Sequence, residues 1–135
     1  MIPQRLAATY ASLGGGWPLV LSWEGTPHPQ ARPKVTRHGT YKPDAAEQRE
    51  LRTIIDRQTP EILTGSLVMV AVFYLPDLRT RDTDNLVKHV LDSANGVLFK
   101  DDRQVTAQAG YVELDRERPR TIVMVGADEL TSVPR

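Results

Sequence analysis

The hydrophobic and polar positions along the chain predict four strands and two helices. The most apolar stretch, residues 67–75, is rich in valine, contains two aromatic residues and ends at Pro76, as expected of a central buried strand. Elsewhere, two segments have apolar residues at helical spacing, and three further segments have the composition of strands. The predicted elements are strand 18–24, helix 44–58, strand 67–75, helix 84–94, strand 104–114 and strand 121–126. This β-α-β-α-β-β order predicts an α+β fold, a single domain in which two helices pack on a mixed four-stranded sheet.

The length and composition of the chain set the limits of this domain. A chain of 135 residues with 40% hydrophobic content suits one domain over residues 18–127. Residues 1–17 are expected to form an N-terminal extension that could be flexible, and residues 128–135 a polar tail. The chain has no cysteine, which excludes disulfides and thiolate metal sites, and it has no long apolar run. We therefore expect a cytoplasmic protein without a membrane segment.

Acidic residues are concentrated between Asp82 and Asp102. Asp84, Lys88 and Asp92 follow one another at four-residue intervals, so a helix would present them on one face. Carboxylate oxygens are the ligands that Mg²⁺ and Mn²⁺ prefer, and Mg²⁺ fills its other positions with water and substrate phosphate. Metal-dependent phosphodiester hydrolysis is therefore the first reaction to consider.

The first part of this cluster also has a purely structural interpretation. Asp82 and Thr83 stand where the helix should begin, so Asp82 could simply cap it, and Asp84 could form a surface ion pair with Lys88. The sequence after the helix favours a site. Asn95 and Gly96 form a helix stop, and the adjacent Asp101 and Asp102 precede a strand, so that a turn could return one of them to the helix start.

Basic residues are distributed in a way that suits a polyanion, although the formal net charge of zero argues mildly against a nucleic-acid-binding protein. A proline-rich segment from residue 28 to residue 42 has four basic residues and no acidic one, and two arginines directly precede the acidic cluster. The alternative is a solvated loop whose charges have no function. The candidate DNA-binding residues are Arg32, Lys34, Arg37, Lys42, Arg79 and Arg81.

Other patterns exclude some classes of site. His28, His38 and His89 lack the spacing of a zinc site. The run from Gly14 to Gly16 lacks the lysine and hydroxyl residues of a phosphate-binding loop. We therefore expect no nucleotide cofactor and no metal bound by these histidines.

The acidic cluster resembles that of the RusA-like Holliday-junction endonucleases. The shared pattern is Asp-x-Asp-Asn, a lysine four residues after the second aspartate, Leu-Asp, Asn-Gly and then Asp-Asp-x-Gln-hydrophobic. The matching residues are Asp82, Asp84, Asn85, Lys88, Leu91, Asp92, Asn95, Gly96, Asp101, Asp102, Gln104 and Val105. Upstream, Gly25-Thr26-Pro27 and Arg32-Pro33-Lys34 are similar to the start of the family pattern, and the resemblance covers residues 19–125.

The resemblance implies roles for individual residues. Asp82, Asp84 and Asp102, more than Asp101, correspond to the metal-binding catalytic aspartates, and Lys88 to the essential basic residue. Residues expected to orient this set are Asn85, Asp92 and Asp101. The implied cofactor is Mg²⁺, which Mn²⁺ could replace, and the implied substrate is a four-way DNA junction cut symmetrically by a homodimer during recombination and repair. Such a substrate implies association with the nucleoid.

Two alternatives remain open at the level of sequence. The first is a module that binds branched DNA without cleaving it, in which the carboxylates only organise a loop. The second is a metal-dependent nuclease that acts on flap or RNA substrates.

Overall fold

The computed structural model describes residues 2–29, 34–41, 44–79 and 82–133. Three helices and six strands are formed by these residues. In chain order they are α1 (Gln4–Ser12), β1 (Leu19–Glu24), β2 (Lys34–Thr36), β3 (Gly39–Tyr41), α2 (Ala45–Gln58), β4 (Leu67–Leu75), α3 (Thr83–Ala94), β5 (Val105–Leu114) and β6 (Arg120–Ala127), with a single 3₁₀ turn (Asp102–Gln104) before β5. In the part of the chain described, no helix has both the length and the apolar character needed to cross a membrane.

The main sheet has four strands in the order β1-β6-β4-β5. Strands β4 and β5 are parallel, whereas β6 is antiparallel to both of its neighbours, β1 and β4. The parallel pair requires a crossover connection, which α3 supplies. The predicted α+β fold with a mixed four-stranded sheet is confirmed.

Helices α2 and α3 cover one face of this sheet. Alternate residues of β4, such as Met69 and Phe73, point into a core shared with Leu51 of α2 and Leu86 of α3. Helical spacing of the apolar residues places them on the inner side of each helix, which leaves the polar side of α3 facing outward. This packing fixes which residues of α3 can form a site.

Helix α1 covers the opposite face of the sheet, where sequence analysis expected an N-terminal extension. Its residues Leu6 and Tyr10 are buried against Val68, Val70 and Val72 of β4. The apolar stripe of α1 is short, so its stability as a helix depends on this packing and is hard to predict from the local pattern. A helix on each face explains why β4 is apolar on both sides. Two helices were predicted, and α1 is the third.

Two other segments differ from the expectations. Within the proline-rich segment, where the prolines predict an extended loop, the described residues 34–41 form a small antiparallel hairpin of β2 and β3, and Gly39 directly follows its turn at a φ of 116°. In the predicted polar tail, Asp128 is buried and accepts a hydrogen bond from Thr106 Oγ1 at 2.6 Å. That contact ties the beginning of the tail to β5.

Candidate active site

The start of α3 holds the first predicted ligand in a fixed position. Asp82 is the N-cap of the helix: its Oδ1 accepts a hydrogen bond from the backbone N–H of Asn85 at 3.3 Å. The side-chain Nδ2 of Asn85 donates to Asp82 Oδ2 at 2.7 Å. The capping role considered for Asp82 is therefore present. Since each carboxylate oxygen can accept more than one interaction, capping leaves Asp82 able to bind a cation.

Asp84 and Lys88 lie one turn apart on the outer side of α3. Both are exposed, and both line a groove of about 360 Å³ between α3 and the edge strand β5. Within the described residues neither side chain has a salt-bridge partner within 4.0 Å, so the alternative of an Asp84–Lys88 ion pair is not observed. The groove thus presents one anionic and one cationic group to the solvent. Its lining residues are Thr83, Asp84, Val87, Lys88, Leu91, Gln108, Ala109 and Gly110.

A glycine in β5 sets the distance between α3 and the sheet. A Cβ atom at Gly110 would lie 2.6 Å from Val87 Cγ2 and 3.2 Å from Thr83 Cγ2. Only a residue without a side chain lets the first turns of α3 approach β5 this closely. Gly110 therefore helps to place Asp84 and Lys88 beside the edge strand.

The adjacent pair Asp101 and Asp102 lies at the start of the 3₁₀ turn before β5. Asp101 caps this turn, accepting from the backbone N–H of Arg103 at 2.9 Å and from its guanidinium at 3.3 Å. These hydrogen bonds hold the pKa of Asp101 below its ordinary value, and the one from the backbone N–H of Arg103 has the largest effect. The backbone N–H of Asp102 donates to Asn95 Oδ1 at 2.9 Å. Asp101 thus has a structural role, and Asp102 is fixed next to the end of α3.

The predicted ligands of one chain lie at the two ends of α3. Asp84 is in the first turn and Asn95, the partner of Asp102, follows the last turn, so the helix separates them by roughly 16 Å at 1.5 Å per residue. Among the described residues Asp82, Asp84 and Asp102 do not form a group whose ligand atoms meet. The structure brings together Asp82, Asp84, Asn85 and Lys88, whereas Asp102 lies elsewhere. Asp92 is about 12 Å further along the helix than Asp84.

Gln104, which belongs to the acidic motif, has a structural function. Its Oε1 accepts from the backbone N–H groups of Lys100 and Asp101 at 2.9 and 3.2 Å. Its Nε2 donates to the carbonyls of Leu63 and Gly65, both at 3.1 Å. The side chain joins the turn before β5 to the segment that leads into β4. The sequence motif includes Gln104 but does not indicate this function.

The predicted DNA-binding residues that the structure describes lie shortly before α3 and on the hairpin. Arg79 is exposed shortly before α3, with its backbone N–H bonded to Asp77 Oδ1 at 2.9 Å. Arg37 is exposed in the turn between β2 and β3. Lys34 is part of β2, but its side chain is not described. The other predicted DNA-binding residues, Arg32, Lys42 and Arg81, lie outside the described residues.

A second group of polar side chains lies on the inner side of α3. His28, Asp44 and His89 place their ligand atoms within 4.8 Å of one another, a proximity that the sequence spacing of the histidines does not indicate. Burial is the largest cause that lowers the pKa of His89 to about 4, and the neighbouring His28 adds to it while Asp44 and Glu47 oppose it. The imidazole of His89 is therefore neutral at pH 7. Residues so distant in sequence give no local signal.

Comparison with known families identifies the region that holds the acidic motif. A family model described as endodeoxyribonuclease RusA matches residues 24–126 of the chain. The matched region begins at the last residue of β1 and excludes α1. No curated protein matches the chain.

Proposed function

We propose that this chain, which belongs to the RusA family of endodeoxyribonucleases, resolves Holliday junctions by Mg²⁺-dependent hydrolysis of two symmetrically placed phosphodiester bonds during DNA recombination and repair. The family implies an endonuclease that resolves Holliday junctions. The observation that carries the finer proposal is the start of α3. There an exposed carboxylate and an exposed ammonium share one groove, next to a second carboxylate that is already oriented by a carboxamide.

The donor set at this end of α3 suits a hard divalent cation. Mg²⁺ usually takes one or two protein carboxylates and leaves its other positions to water and phosphate oxygens, so Asp82 and Asp84 can provide the first two ligands of an ion. When bound, the ion would polarise a phosphate and lower the pKa of an attacking water. Asn85 keeps the carboxylate of Asp82 in place through its 2.7 Å hydrogen bond. Lys88 supplies a positive charge where negative charge develops on the phosphate.

Basic side chains before α3 and on the β2–β3 hairpin would hold the DNA backbone. Arg79 lies just before α3, and Arg37 projects from the β2–β3 hairpin. Contacts between arginine and phosphate position a nucleic acid without reading its sequence. This arrangement suits a protein that recognises the shape of a junction.

Asp102 enters the proposal through a homodimer. Asp102 lies at the opposite end of α3 from Asp84, so within one chain its carboxylate faces a different region of the surface. Two copies related by a two-fold axis would bring the start of one α3 to the end of the other, and would supply the two sites that a four-way junction requires. In this arrangement each site takes Asp82 and Asp84 from one copy and Asp102 from the second.

A mixed-dimer experiment tests the shared site. Asp84→Asn and Asp102→Asn chains are each expected to be inactive. If the sites are shared, a dimer of one chain of each kind retains one intact site and nicks a junction once. If each site is built within a single chain, both sites of the mixed dimer are defective and no nicking is seen. The absence of nicking in verified mixed dimers would refute the shared site while leaving the nuclease proposal in place.

The activity itself is tested with Asp84→Asn and a matched control. Asp56 is an exposed aspartate on α2, so Asp56→Asn makes the same chemical change outside the groove. We expect Asp84→Asn to abolish Mg²⁺-dependent cleavage of a synthetic four-way junction while retaining binding, and Asp56→Asn to cleave normally. The parent should gain about 1.4 kcal/mol of stability at a Mg²⁺ concentration ten times the dissociation constant, a gain that Asp84→Asn largely loses.

The same assay separates the alternatives. Parallel reactions contain four-way junctions, flap DNA, duplex DNA and RNA. Binding to junctions without cleavage in Mg²⁺ or Mn²⁺ would identify a non-catalytic module, and preferential cleavage of flaps or RNA would identify a different nuclease. An active Asp84→Asn protein would contradict the assignment of the site.

A further inference from the structure

His28, Asp44 and His89 converge from three separate segments of the chain. His28 lies after β1, Asp44 is the N-cap of α2, and His89 is in the middle of α3. Asp44 Oδ2 lies 3.6 Å from His28 Nε2 and 3.9 Å from His89 Nδ1. The two imidazole rings meet edge to face, with their centroids 4.8 Å apart.

These separations are close to those of ligands around one metal ion. Two ligands bonded at about 2.0–2.1 Å with tetrahedral angles lie roughly 3.3 Å apart. The distances of 3.6 and 3.9 Å are slightly longer than that, and both exceed the range of a direct hydrogen bond. A contraction of less than 1 Å in each of these two pairs, and of at most about 1.5 Å between the two imidazole nitrogens, would place the carboxylate and both imidazoles around one ion.

The surroundings of the group also suit a bound ion. Asp44 is 2% exposed and His89 is 4% exposed, so the carboxylate and one imidazole are already removed from water. His28 Nε2 is itself buried and has no hydrogen-bond partner in the part of the chain described. A buried polar nitrogen without a partner is uncommon and calls for an explanation. A metal ion facing this nitrogen would provide one.

A cavity adjoins the group and leaves room for a further ligand. It has a volume of about 180 Å³ and is lined by both histidines and by Glu47, which lies one turn after Asp44 in α2. Three protein ligands with an open position are typical of a transition-metal site whose fourth ligand is water or a second carboxylate. A cavity of this size is large enough for either.

We propose that His28, Asp44 and His89 bind a divalent first-row transition-metal ion such as Zn²⁺, at a site separate from the Mg²⁺ site proposed at the start of α3. Two imidazoles and one carboxylate favour such ions, whereas Mg²⁺ prefers oxygen ligands. The site also has a structural consequence. His28 and Asp44 flank the segment that contains the β2–β3 hairpin, and His89 belongs to the helix that carries Asp84 and Lys88. The ion would therefore join both ends of the segment between His28 and Asp44 to α3.

Direct metal binding tests this proposal without depending on nuclease activity. The full chain is freed of metal with EDTA and titrated with Zn²⁺ in the presence of excess Mg²⁺, which keeps the carboxylates of α3 from competing. We expect one Zn²⁺ per chain and a melting temperature that rises by several degrees as the ion saturates the protein. Co²⁺ in place of Zn²⁺ should give visible absorption from an imidazole-bound ion.

Substitutions of two histidines distinguish this site from surface binding. His28→Gln removes a ligand that is 38% exposed, so the fold should persist, and we expect Zn²⁺ affinity to fall by at least about tenfold together with the Co²⁺ absorption. His38→Gln changes an exposed histidine of the hairpin turn and should leave both unchanged. Asp84→Asn should also retain Zn²⁺ binding, which separates this site from the nuclease site.

Two outcomes would overturn the proposal. One is a melting temperature that does not respond to Zn²⁺ in the parent. The other is a Zn²⁺ affinity that is the same for the parent and for His28→Gln. Either result would reduce the three side chains to a buried polar contact between α2, α3 and the segment after β1.

Discussion

Replacement of Gln104 by alanine would remove one side chain that serves four backbone groups. The amide accepts from the N–H groups of Lys100 and Asp101, and donates to the carbonyls of Leu63 and Gly65. These four groups belong to two segments that precede the parallel strands β4 and β5. In the alanine variant each of these four backbone groups must form a hydrogen bond with water or remain without a partner.

The expected cost follows from this count. A net hydrogen bond contributes about 1 kcal/mol, and a buried group left without a partner costs about 1–3 kcal/mol. Gln104 is half-buried, so water can reach part of the site and the lower end of this range applies. We expect Gln104→Ala to lower the free energy of unfolding by about 2–4 kcal/mol, and the melting temperature by roughly 10 °C for a domain of this size.

Urea unfolding at neutral pH measures this difference. The matched control is Gln108→Ala, which changes an exposed glutamine of β5 and should stay within about 0.5 kcal/mol of the parent. Gln104→Glu keeps the two acceptor contacts but loses both donors. Its free energy of unfolding should therefore be lower than that of the parent. A loss of less than about 1 kcal/mol for Gln104→Ala would refute the reasoning, because four hydrogen bonds could not then depend on this side chain.

Three other predictions concern packing and charge. Gly110→Ala should destabilise the protein by about 1–2 kcal/mol in the same urea assay, because a methyl group would push α3 away from β5; an unchanged midpoint would show that the helix can shift freely. The double change of Arg37 and Arg79 to alanine should make the slope of log affinity against log salt for junction binding less steep by roughly two, and an unchanged slope would mean that neither contacts phosphate. Arg120, whose guanidinium lies 2.8 Å from the carboxylate of Asp115, is the main cause that holds the pKa of Asp115 below its ordinary value. Arg120→Gln should raise that pKa in an NMR titration. Because the folded pKa of Asp115 is depressed, this pair stabilises the protein at pH values above the unfolded pKa, and the stabilisation is lost as the pH falls through the folded pKa. An Asp115 pKa that is equally low in Arg120→Gln would show that Arg120 is not the main cause.

The sequence alone determined the elements that depend on local periodicity. Residues 67–75 are apolar at every position, and the structure has β4 over the same residues. The four-residue spacing of Asp84 and Lys88 placed them on one side of a helix, and both line the same groove in the structure. A strand or helix repeats its geometry every few residues, so hydrophobic spacing is sufficient to define its faces.

Only the tertiary structure decided what comes together from distant parts of the chain. The sequence allowed a turn to return Asp102 to the start of α3, but the parallel pairing of β4 and β5 requires the chain to travel the length of α3 before β5 begins, which leaves Asp102 at the far end. The meeting of His28, Asp44 and His89 depends on how α2 and α3 pack against the sheet. Neither arrangement leaves a periodic pattern in the local sequence. Both result from packing between segments that are far apart in the chain, and hydrophobic spacing within a segment does not show which other segment it contacts.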